Sequence, residues 1–470
     1  MTRNTAVATL SATDMLAAYA SHTLSPVDVH DAVQELIAER EPVLNAFYVR
    51  DVAAARADAA ASANRWARGE TLGPIDGVPV TLKENIARKG VPMPAGTAGS
   101  EPRPAMTDAP ITARVQESGA VVLGSTTMPD WGMLSSGVSS LHGITRSPWN
   151  SAWTTGGSSA GAGSAAAAGY GPLHVGTDIG GSIRLPGTWL GLVAHKPSFG
   201  RVPLDRPYLG RCAGPITRTV RDAALFMQVL SQPDIRDWSS LPPAEIDWSD
   251  LDLDVRGMRI AVHVDAGCGM PVDPVVAEAV EAAAATFASA GAVVEQIPPF
   301  MTPTMLANLD LFWRVRSWND YAALPPDRQR KILPFIVDWC SRGAQVSGAK
   351  TMACYQSIME LRAATVAATA AFDLVLSPVA PTVAFPAEWP MPYGNEDGAM
   401  AHIGFTAPYS MSGQPACSIN CGFTDDDKTI GVQIAGRRFD DLGVLRAAAW
   451  YEQARPASAT PVWPFQGGDS

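Results

Sequence analysis

Residues 259–296 read RIAVHVDAGCGMPVDPVVAEAVEAAAATFASAGAVVEQ, and the fold class follows from them. The run Arg259–His263 has strand character, Asp273 and Pro274 stand at the N-cap and first helical positions, Gly291 stops the helix, and Val293–Gln296 is a second strand. Strand, helix and strand in this order imply parallel pairing, because a parallel pair needs a crossover long enough to hold a helix.

Further apolar runs at Leu374–Leu376 and Ile430–Ile434, with the Ala-rich helix Val444–Ala454 after them, complete the same sheet from the C-terminal half. On the N-terminal side, between Gly73 and Ile86, Val78, Val80 and Leu82 alternate with Thr81 and Lys83, which predicts a strand pointing Lys83 away from the valine face. Val121–Leu123 reads as another short buried strand. Gly161–Gly169, almost all Ala, Gly and Ser, reads as a helix packed closely on its neighbours. The first sixty or so residues are helical by pattern, with Ser25 as N-cap, Pro26 in the first helical position and Asp28 in the first turn. Alanine dominates the next helix, Val52–Trp66. Residues 231–255, rich in Asp, Pro, Ser and Trp, read as a surface connection between two halves. The expectation is an α/β fold: one large domain over 1–470 with a mixed, mostly parallel central sheet flanked by helices. Within it lie an N-terminal helical segment (1–70), a core (73–220), the connection, and a C-terminal half (256–470) that completes the sheet.

Composition agrees with a packed chain: 47% of residues are apolar and 17% charged. With 35 basic and 46 acidic residues the net charge is −11, and no cluster of Lys and Arg offers a phosphate-binding surface, so nucleic acid is not an expected partner. The cysteines at 212, 268, 340, 354, 417 and 421 form no C-x-x-C pair and keep no tight spacing with the histidines, which reads as buried reduced thiols in preference to zinc ligands. Met1–Leu10 lacks the pattern of a secretory leader. The uncharged stretch Ser147–Thr177 is interrupted by Pro148 and repeated glycine, so it predicts no membrane span; the cytoplasm is the simplest compartment.

Three polar residues carry the chemistry: Lys83 in its apolar strand, Ser158 in Gly156-Gly-Ser-Ser159, and Ser182 in Asp178-Ile-Gly-Gly-Ser182. A hydroxyl needs a base within hydrogen-bond reach, and a desolvated lysine becomes one when its pKa falls toward neutrality, so the trio reads as a Ser-Ser-Lys nucleophilic site. The glycines before Ser182 allow a tight turn whose successive N–H groups, on Ile179, Gly180, Gly181 and Ser182, point to one side as an oxyanion hole. A phosphate or cofactor loop is disfavoured, because no G-K-[ST] is present and Asp178 would repel phosphate. Gly157-Ser-Ser-Ala-Gly161 also satisfies G-x-S-x-G, which nominates Ser159 as the nucleophile of an α/β-hydrolase-type esterase, with His402 as the sole late histidine for it. Ser347-Gly-Ala-Lys350 matches S-x-x-K without its companion motifs and reads as chance.

Gly73-Pro-Ile-Asp-Gly-Val-Pro-Val-Thr-Leu-Lys-Glu-Asn-Ile86, Gly156-Gly-Ser-Ser-Ala-Gly161 and Gly176-Thr-Asp-Ile-Gly-Gly-Ser-Ile-Arg184 resemble the three core motifs of the amidase signature family, in order and at its spacing. Lesser similarities run from Gly124–Met128 and Thr145–Trp149 through Lys196-Pro197, Gly200-Arg201, Gly214-Pro215, Arg218 and Leu376–Pro378 to Phe405–Pro408, Gly413–Pro415 and Val432-Gln433, so the resemblance covers nearly the whole chain.

The resemblance implies that Ser182 attacks the acyl carbon, that Ser158, at the family's cis-peptide position, relays its proton, and that Lys83 is the base. It implies that Ser159, Asp178 and Arg184 support the loop and that no metal or other cofactor is required. The implied reaction is hydrolysis of non-peptide carbon–nitrogen bonds in linear amides, extending to aryl esters and carbamates (urethanes). Its partners are a small-molecule substrate and water, with room for a homo-oligomer and no membrane. A glutaminase subunit of a tRNA-dependent amidotransferase is the rival within the family, and a catalytically silent scaffold the rival outside it. Ala160, Thr127 and Trp131 depart from the family pattern. The segment Met128–Ser136 borders the acyl pocket in similar proteins, which makes Trp131, Met133, Leu134 and Ser135 the candidate pocket residues.

Overall fold

The computed structural model describes residues 3–393 and 398–466; Met1 and Thr2, the start of the segment read for a leader, lie outside them. In chain order its strands are β1 (Phe47–Arg50), β2 (Pro79–Lys83), β3 (Val121–Thr126), β4 (Val138–Ser139), β5 (Gly143–Ile144), β6 (Leu173–Asp178), β7 (Val193–Lys196), β8 (Cys212–Thr217), β9 (Arg259–Val262), β10 (Val293–Gln296), β11 (Leu374–Pro378), β12 (Ala416–Phe423) and β13 (Thr429–Gly436). Among the described residues all but β4 and β5 join one sheet in the order β1-β3-β2-β6-β8-β7-β12-β13-β11-β9-β10.

The chain builds the single mixed α/β domain with flanking helices that its sequence predicts. Parallel pairing forms both wings, β3-β2-β6 on one side and β11-β9-β10 on the other. Between the wings the ladder runs antiparallel through β8, β7, β12 and β13. The strand–helix–strand unit of residues 259–296 is present, its helix spanning Pro274–Ser289. Asp273 occupies the N-cap position but does not cap: its carboxylate accepts from the Thr382 hydroxyl at 2.7 Å instead. The N-terminal reading needs a second correction. The helix Pro26–Leu44, with Ser25 and Asp28 forming a capping box, ends at Asn45 in the left-handed region (φ 52°), and the four residues of β1 form an edge strand before Asp51 caps the next helix. Residues 231–255 hold no helix or strand and run largely exposed.

Two polar anchors join distant parts of the domain. Arg218 donates to the carbonyls of Ala166 and Gly171 and to those of Thr9 and Leu10, stapling the N-terminal helices to the sheet. Asp441, at the start of the C-terminal helix, accepts from Arg201 Nε at 3.1 Å and from the Ser198 N–H at 2.6 Å. The six cysteines form no disulfide; five are buried and Cys268 is half-buried. Among the described residues no helix is long and apolar enough to cross a membrane.

The helix Ala160–Ala168 is buried along its whole length, and it begins at the Ala160 that departs from the family pattern. Its small residues let it press against the rest of the core: a Cβ on Gly161 would sit 2.2 Å from the Ala46 carbonyl oxygen and 2.5 Å from the Thr127 nitrogen. Gly161→Ala is therefore expected to destabilise the fold by about 1–3 kcal/mol, the cost of overpacking a dense core; a urea-unfolding midpoint equal to that of the unaltered protein would contradict this packing.

Candidate active site

Lys83 is the last residue of β2, and all five residues of that strand are buried. Strand alternation sends its side chain and that of the next residue to opposite sides. Glu84 accordingly faces away, held by the Gly96 N–H and by His142 Nε2. Lys83 Nζ donates to Ser158 Oγ at 2.8 Å and to Ser159 Oγ at 3.1 Å. Burial drives its pKa well below the ordinary lysine value, and the charge of Arg211 adds to the effect, against the opposing charges of Asp178 and Glu84.

The two serines stand at the entry to the buried helix Ala160–Ala168, and the Gly157–Ser158 peptide bond is cis. Ser159 is tied on both sides of its hydroxyl: besides Lys83, it bonds the Thr177 N–H and carbonyl, each at 3.2 Å. Ser158 faces a cavity with about 600 Å³ of empty space, mouth included, whose wall also holds Ser182. Ser182 is half-buried, and among the described residues its hydroxyl has no hydrogen-bond partner. Lys83, Ser158 and Ser159 are thus one bonded cluster, with Ser182 beside them on the cavity wall.

The glycine turn begins later than its sequence implies, because Gly176, Thr177 and Asp178 still belong to β6. Gly181 adopts φ 125°, and a Cβ there would lie 2.8 Å from Thr406 Oγ1. Of the four predicted oxyanion donors the structure commits one elsewhere: the Gly181 N–H is bonded to Asp178 Oδ1 at 2.8 Å. The N–H groups of Ile179, Gly180 and Ser182 have no partner among the described residues.

Asp178 and Arg184 form a bidentate pair at 2.9 and 3.0 Å, both fully buried. Arg184 also donates to the Thr406 carbonyl, Gln433 Oε1 and Ser410 Oγ, while Gln433 reaches on to Ser377 and the Phe405 carbonyl. Burial alone would raise the Asp178 pKa; the charge and hydrogen bonds of Arg184, aided by Lys196 and the Ile183 N–H, hold it at about 2. The network locks the turn that carries Ser182 to β11 and β13 on the far side of the sheet.

The candidate pocket residues Trp131, Met133, Leu134 and Ser135 all line the cavity. Trp131 has φ 50°, a costly conformation for a bulky side chain, held by its N–H bond to the Ala95 carbonyl at 2.7 Å. His402 lies 2.7 Å from Ser135 Oγ and not against Ser159, so the constellation of an α/β-hydrolase is not assembled. Burial lowers the His402 pKa to about 3, which keeps the ring neutral. Ser347 caps a helix through the Lys350 N–H, which accounts for the S-x-x-K match. Sequence reasoning did not single out Thr177, which lies within the glycine motif, or Arg211, Trp313, Arg316, Met400 and Ile403, which complete the cavity from segments remote from the motifs.

The sequence matches the Amidase family over residues 28–445. It is 32% identical over 457 residues to an acylamidase of Rhodococcus erythropolis, covering 95% of this chain and 96% of that protein. It is 30% identical to a glutamyl-tRNA(Gln) amidotransferase subunit of Synechococcus sp. (strain CC9605), over 89% of this chain and 91% of that one. The fold superposes on the crystal structure of a bacterial aryl acylamidase of the amidase signature family with a TM-score of 0.89 at 29% identity, covering 98% of this chain and 99% of that one.

Arg184→Met would strand the Asp178 carboxylate in the interior. It is expected to cost about 3–5 kcal/mol of stability, the range for breaking a buried pair from one side. Because pairing depresses the Asp178 pKa, the stability it confers is complete above its ordinary value of 3.8 and is lost only as pH falls through about 2. Chemical denaturation at neutral pH checks this, and a loss under 1 kcal/mol, roughly that of an exposed pair, would contradict it.

Proposed function

Because the chain belongs to the amidase signature family, hydrolases of carbon–nitrogen bonds, we propose that it cleaves linear non-peptide amides through an ester formed on Ser182. The observation that carries this reading is the 2.8 Å bond from the buried Lys83 amine to Ser158, on the wall of the cavity that also holds Ser182.

In the first half-reaction Ser182 Oγ attacks the carbonyl carbon, its proton passes to Ser158 Oγ, and the Ser158 proton passes to Lys83 Nζ. Negative charge building on the carbonyl oxygen is met by the N–H groups of Ile179, Gly180 and Ser182, each well-placed donor being worth roughly 3 kcal/mol of barrier. The carbon–nitrogen bond breaks as the proton returns from Lys83 through Ser158 to the departing amine. Water then attacks the ester and gives its proton to Lys83 by the same route; the ester carbon–oxygen bond breaks, Ser182 Oγ recovers the proton, and the acid leaves. Esters and carbamates present the same carbonyl to the same donors and fall within the reach of this site. The acylamidase and aryl acylamidase relatives, together with aromatic walls at Trp131 and Trp313, favour aryl amides.

The amidotransferase relative motivates a second reading, a glutaminase that needs partner chains. Turnover of simple amides by the isolated chain separates the two.

Ser182→Ala is expected to abolish the burst of amine release, and a burst persisting in that variant would contradict the nucleophile assignment. Lys83→Ala is expected to lose roughly a hundred- to ten-thousand-fold in kcat, the usual contribution of a general base, with Ser158→Ala less damaging. Since protonated Lys83 cannot accept a proton, kcat/KM rises with pH through the apparent pKa of the relay and then levels. A profile flat from acid to alkaline pH would argue against a lysine base.

A further inference from the structure

Beside the serines the catalytic cavity opens into a wider cleft with about 2030 Å³ of empty space, open solvent included. Asn85, Met128, Trp131, Ile179, Arg211 and Arg316 line both spaces and form the neck between them. The wall away from the neck is largely apolar, built from Leu134, Leu185, Trp313, Met400 and Ile403. Two arginines therefore line the neck of a chamber whose other walls are apolar side chains and the hydroxyls of Ser135, Ser158, Thr177 and Ser182.

Among the described residues neither guanidinium is paired with an acid. The Arg211 guanidinium makes, among the described residues, only long bonds of 3.4 Å, to the carbonyls of Arg206 and Asn85. Arg316 lies 5.1 Å from the centre of the Tyr208 ring and donates to the Met133 sulfur at 3.0 Å. The acidic groups that act on them through space are Asp205 on Arg211 and Asp320 on Arg316, and among the described residues neither comes within ion-pair distance. Burial and the charge of Arg316 both push the Arg211 pKa down, against the opposing charge of Asp205. The buried guanidiniums elsewhere are answered by close partners, Arg184 and Arg201 by carboxylates and Arg218 by four backbone carbonyls.

A planar, delocalised anion fits a pair of guanidiniums through parallel charge-assisted hydrogen bonds. We propose that the neck is a carboxylate subsite: the substrates are amides that carry a carboxylate on the substituent reaching Arg211 and Arg316, with an apolar group in the chamber beyond. The subsite deepens the hydrolase reading above and rests on it.

Two matched pairs test the subsite from either side of the scissile bond: 4-acetamidobenzoate against acetanilide, and glutaric acid monoanilide against valeranilide. In at least one pair the carboxylated compound is expected to show a kcat/KM roughly ten- to a hundred-fold higher, the ratio falling toward one in Arg316→Gln and in high salt, and partly retained in Arg316→Lys. A ratio at or below one in both pairs, or a ratio indifferent to Arg316→Gln, overturns the proposal. Binding separates this outcome from a failure of the hydrolase reading. Benzoate is expected to bind the Ser182→Ala protein in calorimetry and to lose at least tenfold in affinity when Arg316→Gln is added. Undiminished benzoate affinity in the double variant overturns the subsite whatever the turnover results show.

Discussion

An amine buried at the end of an inner strand, bonded among the described residues to two hydroxyls and to no carboxylate, is the constraint on which the site depends. The interior penalises its charge, and the two nearby acids that would restore that charge are occupied elsewhere: Glu84 with Gly96 and His142, Asp178 with Arg184. Arg211 works in the same direction as burial. The Asp178–Arg184 network thus has two effects. It fixes the turn that presents Ser182, and it keeps an acid from pairing with the lysine.

Burial by itself does not make a base. Lys196 is also fully buried and its pKa is also lowered by desolvation, yet its amine points to the Pro197 carbonyl and lies 3.8 Å from the Cys212 sulfur. Among the described residues no hydroxyl accepts from it. What distinguishes Lys83 is its two serine partners, one of which opens onto the cavity that Ser182 also lines.

Where the chain wrote its structure locally, the sequence was readable. The 259–296 unit, the Ser25 capping box and the alternation of β2 each rest on neighbouring residues, and so do the serine and glycine runs of the site. The helices Pro303–Ala322 and Gly348–Thr369 went unread, because their buried faces carry Arg314 and Ser317 in one and Cys354, Ser357, Thr365 and Thr369 in the other, which breaks the apolar stripe. β6 was equally hidden: Leu-His-Val-Gly-Thr-Asp is fully buried only because His174 bonds Thr81 and Asp178 has Arg184. The bond between Ser135 and His402, and the shared lining of one neck by Arg211 and Arg316, join segments far apart in sequence and leave no local pattern. The commitment of the Gly181 N–H to Asp178 likewise depends on how the turn closes, not on its composition.

The state of the Lys83 amine is therefore the quantity to measure. A carbon-13 NMR titration of the lysine side-chain Cε signals, with the Lys83 resonance assigned by its loss in Lys83→Arg, reads it directly. The account predicts a midpoint well below the ordinary lysine value of 10.5; a Lys83 signal that titrates at that ordinary value would contradict it.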